Sequence, residues 1–430
     1  MRDSVAIDRY LQRHIETQLP QVGAGTGHYR HVLVIPAYRE SPALLRRLAQ
    51  VPATTGGVLV ILVLNHPDSD PDGLCNEPLR AALTELEWHT SRPGMARLRG
   101  DADLFVLDLD RDIGPLPADQ GVGLARKYGC DLALAWMLQG VITSPWIGCS
   151  DADAQLPRDY FERLDGVADN APAAVFPFLH VAGDDAQCNR ATALYELRLH
   201  HYVLGLEYAH SPYACHTLGS CLAVRASAYA HVRGFPRRAA AEDFYLLNKL
   251  AKLGPLARLH GRCIELACRP SHRVPFGTGP AIRSPLYDTP GADTACFYHP
   301  AGFAALRALL RCVPRLHAAD AADLQHLLCE QGLDRRLAEH SRQALDTLGW
   351  SSALQHGRRQ AKSAGEYTRY FNEWLDAFRT LRFLHELRER GLAPLSLRQL
   401  QGVEPQLWPR PGADVEALRR AVRSHWDWRA

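Results

Sequence analysis

Two uninterrupted apolar runs, HVLVIPAY at 31–38 and VLVILVL at 58–64, constrain this chain more than any other feature. Each has the length of a strand, and neither alternates with polar residues. Both faces of such a strand must be covered, which is the habit of a buried parallel strand. Between them, ESPALLRRLAQV reads as a helix, with Ser41 as its cap and Pro42 in its first turn. The alternation continues. ADLFVLDLDRD is a third strand. VGLARKYGCDLALAWMLQG is a helix, apolar at 124, 128, 132, 135 and 138 and stopped by Gly140. PWIGCSDAD and AAVFPFL are a fourth and a fifth strand. Strands and helices in this order predict an α/β domain with a mostly parallel central sheet flanked by helices. Ligands of such sheets bind beyond the carboxyl ends of the strands. The polar clusters at 36–40, 65–70, 108–112 and 150–153 all fall there.

With 430 residues, 47% of them hydrophobic, the chain has enough material for one large domain or two ordinary ones. A net charge of +2 gives no basic footprint, so nucleic acid is not expected as a partner. The opening MRDSVAIDRYLQRHIETQLP is amphipathic and charged throughout, with no apolar signal core. The longest apolar runs are strand-length. The expectation is a cytoplasmic protein without a membrane span. The 11 cysteines are scattered and read as small buried hydrophobes. Cys263, Cys268 and His272 do not have the spacing of a zinc site. From about residue 300 the character turns helical, as in LRALLRC, ADLQHLLCEQ and GEYTRYFNEWLDAFRTLRFLHELRERG. In the last segment Tyr367, Tyr370, Phe371, Trp374, Phe378, Leu381, Leu384 and Leu387 recur at helical spacing. This reads first as a packed face. Other readings are a homodimer seam, a lid over an acceptor pocket, or a peripheral membrane contact aided by nearby arginines. The chain thus divides into an N-terminal helical extension (1–29), a ligand-binding α/β domain (30–285) and a helical C-terminal region (286–430).

Three stretches carry chemistry. The first is Ile35-Pro36-Ala37-Tyr38-Arg39-Glu40 at a strand end. The second is Asp151-Ala152-Asp153 at a later strand end. The third is residues 219–254, where Gly234-Phe235 precedes Glu242-Asp243 at the opening of a helix. With the helix beginning Gly121-Val122-Gly123-Leu124-Ala125-Arg126, these resemble the motifs of family 2 type glycosyltransferases of the GT-A fold. The resemblance covers roughly residues 30–260. It rests on four motifs in the right order, since a D-x-D alone is common.

The resemblance implies a nucleoside diphosphate sugar as donor and Mn2+ or Mg2+ as cofactor. Independently of it, two carboxylates at a strand end suit a hard divalent cation, and such a cation neutralises a departing diphosphate. Asp153 is assigned to the metal and Asp151 to metal or ribose. The family pattern also implies a base on the late acidic pair, here Asp243 with Glu242 in support. Pro36, Tyr38 and Glu40 are expected on the nucleotide face, with Arg126 near the diphosphate and His272 as a third metal ligand. The family's second strand usually ends in two aspartates. This chain has Leu64-Asn65-His66-Pro67-Asp68-Ser69-Asp70, so either Asn65 or Asp68 takes that place, and the identity of the base stays open. The acceptor, a small molecule or a glycan, is expected near 180–217, where a helix over 190–209 is read with its polar residues outward. A retaining relative of the phosphoglycerate-glycosylating kind, a nucleotidyltransferase and a non-catalytic nucleotide-sugar-binding protein are the alternatives. The last two are disfavoured by PAYRESPALL, which has no glycine-rich loop, and by the intact acidic residues.

Overall fold

The computed structural model describes residues 2–16, 28–92, 94–268, 296–318, 323–409 and 414–429. The chain forms two compact units: residues 1–189, 217–282 and 426–430 in the first, 190–216 and 283–425 in the second.

The first unit is an α/β sandwich. Its strands are β1 (His31–Ala37), β2 (Val58–Leu64), β3 (Glu87–Trp88), β4 (Met95–Arg99), β5 (Ala102–Asp108), β6 (Trp146–Cys149), β7 (Ala154–Gln155), β8 (Ala173–Val175), β9 (Phe178–Val181), β10 (Leu222–Arg225), β11 (Ala257–Arg258), β12 (Gly261–Arg262), β13 (Ile264–Ala267) and β14 (Trp428–Arg429). Its helices are α1 (Arg2–Arg13), α2 (Ala43–Leu48), α3 (Glu77–Leu83), α4 (Leu109–Asp112), α5 (Gly121–Leu138), α6 (Tyr160–Asp165), the start of α7 (Ala186–Tyr208), α8 (Ala226–His231) and α9 (Glu242–Leu250). A nine-stranded sheet runs β11-β8-β10-β6-β1-β2-β5-β4-β3. Its centre is parallel: β6, β1, β2 and β5 share one direction. These are the strands whose apolar runs the sequence displays. β2 is buried at every position, as a strand covered on both faces must be. β10 is antiparallel to both of its neighbours, and β4 and β3 close one edge as an antiparallel ribbon.

Three local expectations are corrected. Pro42, not Ser41, stands at the cap of α2, and no side chain bonds there. AAVFPFL is two strands in two sheets. β8 joins the large sheet, and β9 joins a three-stranded sheet with β13 and β7. The break falls at Pro177, whose carbonyl accepts the Ile264 N–H at 2.8 Å; proline cannot donate to a ladder. The long aromatic helix breaks into Ala364–Trp374 and Ala377–Glu389, because Asp376 caps the second piece by accepting the Arg379 N–H at 3.1 Å.

The crossover from β5 to β6 is α5. It starts at the carboxyl edge of the parallel strands and runs back across the sheet. It can lie close because Gly129 has no side chain: a Cβ there would press on Val34 and stand 2.8 Å from Val63 Cγ2. α1 docks on α5 through a buried polar knot. Asp131 accepts from Tyr10 Oη at 2.6 Å, Tyr229 Oη at 2.9 Å and Lys127 Nζ at 2.7 Å.

The second unit is helical. Helix Pro300–Leu316 is its centre and buries Phe303, Leu306, Leu309 and Val313. Tyr367, Phe371, Leu384 and Leu387 are buried, while Phe378 is exposed, so most of the aromatic stripe is core. α7 does not turn its polar residues outward: Glu196, His200 and His201 are buried. Arg419 closes on Glu196 at 2.7 and 3.0 Å, His200 Nδ1 meets His216 Nε2 at 3.0 Å, and His201 donates to the Tyr298 carbonyl at 2.8 Å. Among the described residues no helix is long and apolar enough to cross a membrane.

Gly129→Ala should destabilise the first unit by about 1–3 kcal/mol through overpacking against β1 and β2. Denaturant unfolding of the full chain measures it, and an unchanged midpoint would refute the close-approach argument.

Candidate active site

Topology gathers the chemistry-bearing residues at one edge. β1, β2, β5 and β6 point the same way, so the residues just after them, Tyr38, Asn65, Leu109 and Ser150, share that edge. β10 runs against β6 with Leu222 opposite Cys149, so the turn before it, Gly219–Cys221, sits beside Asp151. α5 begins at the same edge and brings Arg126 on its second turn.

Arg126 is 3% exposed. Its guanidinium ion-pairs with Asp151 through one arm and with Glu242 through the other. It lies against Gly219, where any side chain would collide with its Cζ and both terminal nitrogens. Burial works against the charged guanidinium, but the Asp151, Glu242 and Asp243 carboxylates outweigh it and hold its pKa above the ordinary arginine value. Glu242 is 3% exposed, and burial pushes its carboxyl up against the pull of Arg126. Asp243, half-buried beside it, is pushed up to about 7, first by desolvation and then by the Glu242 charge. Its Oδ1 accepts the Phe244 N–H at 2.6 Å. The helix that carries the pair opens from Ala241, held in the left-handed region at φ 59°, a conformation that costs a non-glycine residue energy. A carboxyl titrating near neutrality beside a fixed cation can give or take a proton at physiological pH.

Asp151 and Asp153 flank buried Ala152 in a turn closed by the Ala154 N–H on the Asp151 carbonyl at 3.1 Å. Both are partly exposed. Their carboxylates are the hard oxygen donors that Mg2+ or Mn2+ takes. Among the described residues no group of three His, Cys, Asp or Glu could hold a metal. Two carboxylates would leave the rest of such a cation's shell to phosphate oxygens and water, the common arrangement for Mg2+. His272 lies outside the described residues.

On the other side of the edge, Pro36 is half-buried near the end of β1, and Tyr38 donates to Asp70 Oδ2 at 2.6 Å. Arg39, at φ 53°, grips the same carboxylate at 2.8 and 2.7 Å. Those bonds pull the Asp70 pKa far below the ordinary carboxylate range. Glu40 is buried, 3.9 Å from Arg47. The Asn65 amide donates to the Ala37 and Val63 carbonyls, both at 3.2 Å, and so ties the ends of β1 and β2. Asp68 accepts the Ala118 N–H at 2.9 Å and holds a loop. Asp70, one turn further along the quoted segment, is thus the carboxylate that reaches Tyr38, a residue the sequence reading passed over. A second D-x-D, Asp108 and Asp110, stands at the end of β5. Arg80 occupies both, at 2.7 Å to Asp108 Oδ2 and 2.5 Å to Asp110 Oδ2, and His66 also pairs with Asp110. Asp151 of the later D-x-D is engaged as well, by Arg126.

No protein-family model matches the chain, and no curated protein does. Among solved structures, Staphylococcus aureus TarS 1–349 in complex with UDP aligns with TM-score 0.34 and 12% identity, over 84% of this chain and 92% of that one. The mannosyltransferase PcManGT from Pyrobaculum calidifontis, in complex with GDP-Man and Mn2+, aligns with TM-score 0.34 and 15% identity, over 88% and 96%. Mouse xyloside xylosyltransferase 1 in its apo form aligns with TM-score 0.25 and 12% identity, over 54% and 85%.

Arg126→Met should cost about 3–5 kcal/mol at pH 8, where it strands the buried Glu242 charge. The cost should shrink at pH 5.5, because a carboxyl stripped of its cation takes up a proton more readily and its neutral form is cheaper to bury. Denaturant unfolding at the two pH values checks the sign.

Proposed function

We propose that this chain is a glycosyltransferase that moves a sugar from a nucleoside diphosphate sugar to an acceptor hydroxyl with inversion, with Asp243 as the base. The observation that carries the reading is the Asp243 carboxyl, raised to about 7 and set beside an acidic pair that shares one buried arginine, at the edge where β1, β2 and β6 end. The four sequence motifs meet at this edge: Tyr38 after β1, Arg126 on α5, Asp151 after β6, and Glu242-Asp243 at the start of α9.

In this reading Pro36, Tyr38, Glu40, Asn65 and Asp68 form the nucleotide side. Asp151 and Asp153 hold a divalent cation. Bound there, it neutralises charge on the departing diphosphate. Asp243 accepts the acceptor hydroxyl proton while that oxygen attacks the anomeric carbon. The anomeric C–O bond to the diphosphate breaks, and its electron pair leaves with the diphosphate. Glu242 keeps Asp243 basic, since its charge disfavours a second anion nearby. Arg126 fixes Glu242 and Asp151 relative to each other, so that proton acceptor and cation site hold one geometry.

A base must be ionised to work. The kcat/KM of the wild-type chain should therefore rise with pH and reach half its plateau near pH 7. Asp243→Asn should lower kcat about 100- to 10,000-fold, flatten that pH profile and leave donor binding intact.

Thermal-shift measurements with UDP, GDP and their sugar conjugates, with and without Mn2+, test the donor class, because a ligand of the native state raises Tm. Asp153→Ala should erase the Mn2+-dependent part of the shift. No shift with any of these ligands would overturn the reading.

A further inference from the structure

The segment after α1 reaches the loop in front of the acidic pair. Glu16 follows α1 and is 7% exposed. Its N–H donates to Asp131 Oδ2 at 3.2 Å. Its carboxylate takes both arms of Arg237, Nε to Oε1 and Nη2 to Oε2, each at 3.0 Å. It also lies 3.5 Å from Lys127 Nζ. Lys127 neighbours Arg126 on α5, so adjacent cations serve different partners: Arg126 pairs with Asp151 and Glu242, and Lys127 with Asp131 and Glu16. Arg237 belongs to loop 236–241, which ends at left-handed Ala241. Strained backbone persists only where its surroundings over-determine it. Other ties are local to α5 and α9: Gly123 N–H to the Arg238 carbonyl at 3.0 Å, Ala239 N–H to the Asp119 carbonyl at 2.9 Å, and the Arg238 guanidinium 4.0 Å from the Tyr245 ring centre. The Glu16 contact adds a bidentate ion pair from a separate part of the chain, and bidentate pairs fix orientation as well as distance.

We propose that Glu16 is a positioning residue. By clamping Arg237 and Lys127 together, it holds loop 236–241 in the conformation that presents Glu242 and Asp243. The inference rests on the reading of Asp243 as base. A purely structural Glu16 would fasten α1 to the fold without setting the loop.

The experiment compares the full-length wild type with Glu16→Gln, Arg237→Ala and Arg237→Lys. Hydrogen–deuterium exchange over 236–245 should quicken several-fold in the first two, with the amides of β1 and β2 unchanged. With a donor in hand, kcat should fall about 10- to 100-fold and donor KM should stay within about twofold. Arg237→Lys, which keeps the charge but not the two-armed geometry, should recover only part of both losses. Unchanged exchange over 236–245 in Glu16→Gln and Arg237→Ala would overturn the proposal, as would loosening with full kcat retained. Loosening in a chain that transfers no sugar from any donor would uphold the clamp and fail the catalytic reading instead.

Discussion

One buried guanidinium holds the edge of this sheet together. Arg126 pairs with Asp151 after β6 and Glu242 at the start of α9, and rests on Gly219 before β10. Without it, several carboxylates would crowd a poorly hydrated corner and repel. With it, their burial becomes tolerable, while desolvation and the repulsion that remains raise the carboxyls of Glu242 and Asp243. The raised pKa of Asp243 is thus a product of packing. A single cation cannot fully compensate three acids packed this closely.

The same helix shows how the sheet and the site depend on each other. α5 must lie close to β1 and β2 for Arg126 to reach the carboxyl edge, and Gly129 permits that approach. One turn away, Lys127 and Asp131 tie α5 to α1 through a knot of buried polar groups, each with a partner. Buried charge of this kind contributes little net stability, but an unpaired member is costly. The effect is to specify one placement of the helix, and with it one placement of the site.

The central sheet was legible because its strands are apolar on both faces; HVLVIPAY and VLVILVL admit few other readings. The edge ribbon of β3 and β4 was not, since short exposed strands such as Glu87–Trp88 carry no pattern. The split of AAVFPFL into two sheets follows from Pro177 and could have been suspected there. In the site, sequence order named Asp151, Asp153, Glu242 and Asp243 but did not show how they pair. Arg126 could be read as a solvated helix charge or a diphosphate contact, because its partners are 25 and 116 residues away. Glu196 and Arg419 are a parallel case: 223 residues separate them, and the polar face of α7 looked exposed for want of a visible counterion. Local patterns report burial of apolar groups well. They do not report the long-range pairing that lets charged groups be buried too.

Neighbouring cations with different partners also limit how this gene can change. Successive residues on a helix are rotated by about 100° from one another. Deleting or inserting one residue early in α5 would hand the place of Arg126 to a neighbour and swing Lys127 off Glu16 and Asp131. Homologues of this chain should therefore show no length change between Gly121 and Asp131, a stretch buried from Gly123 onward.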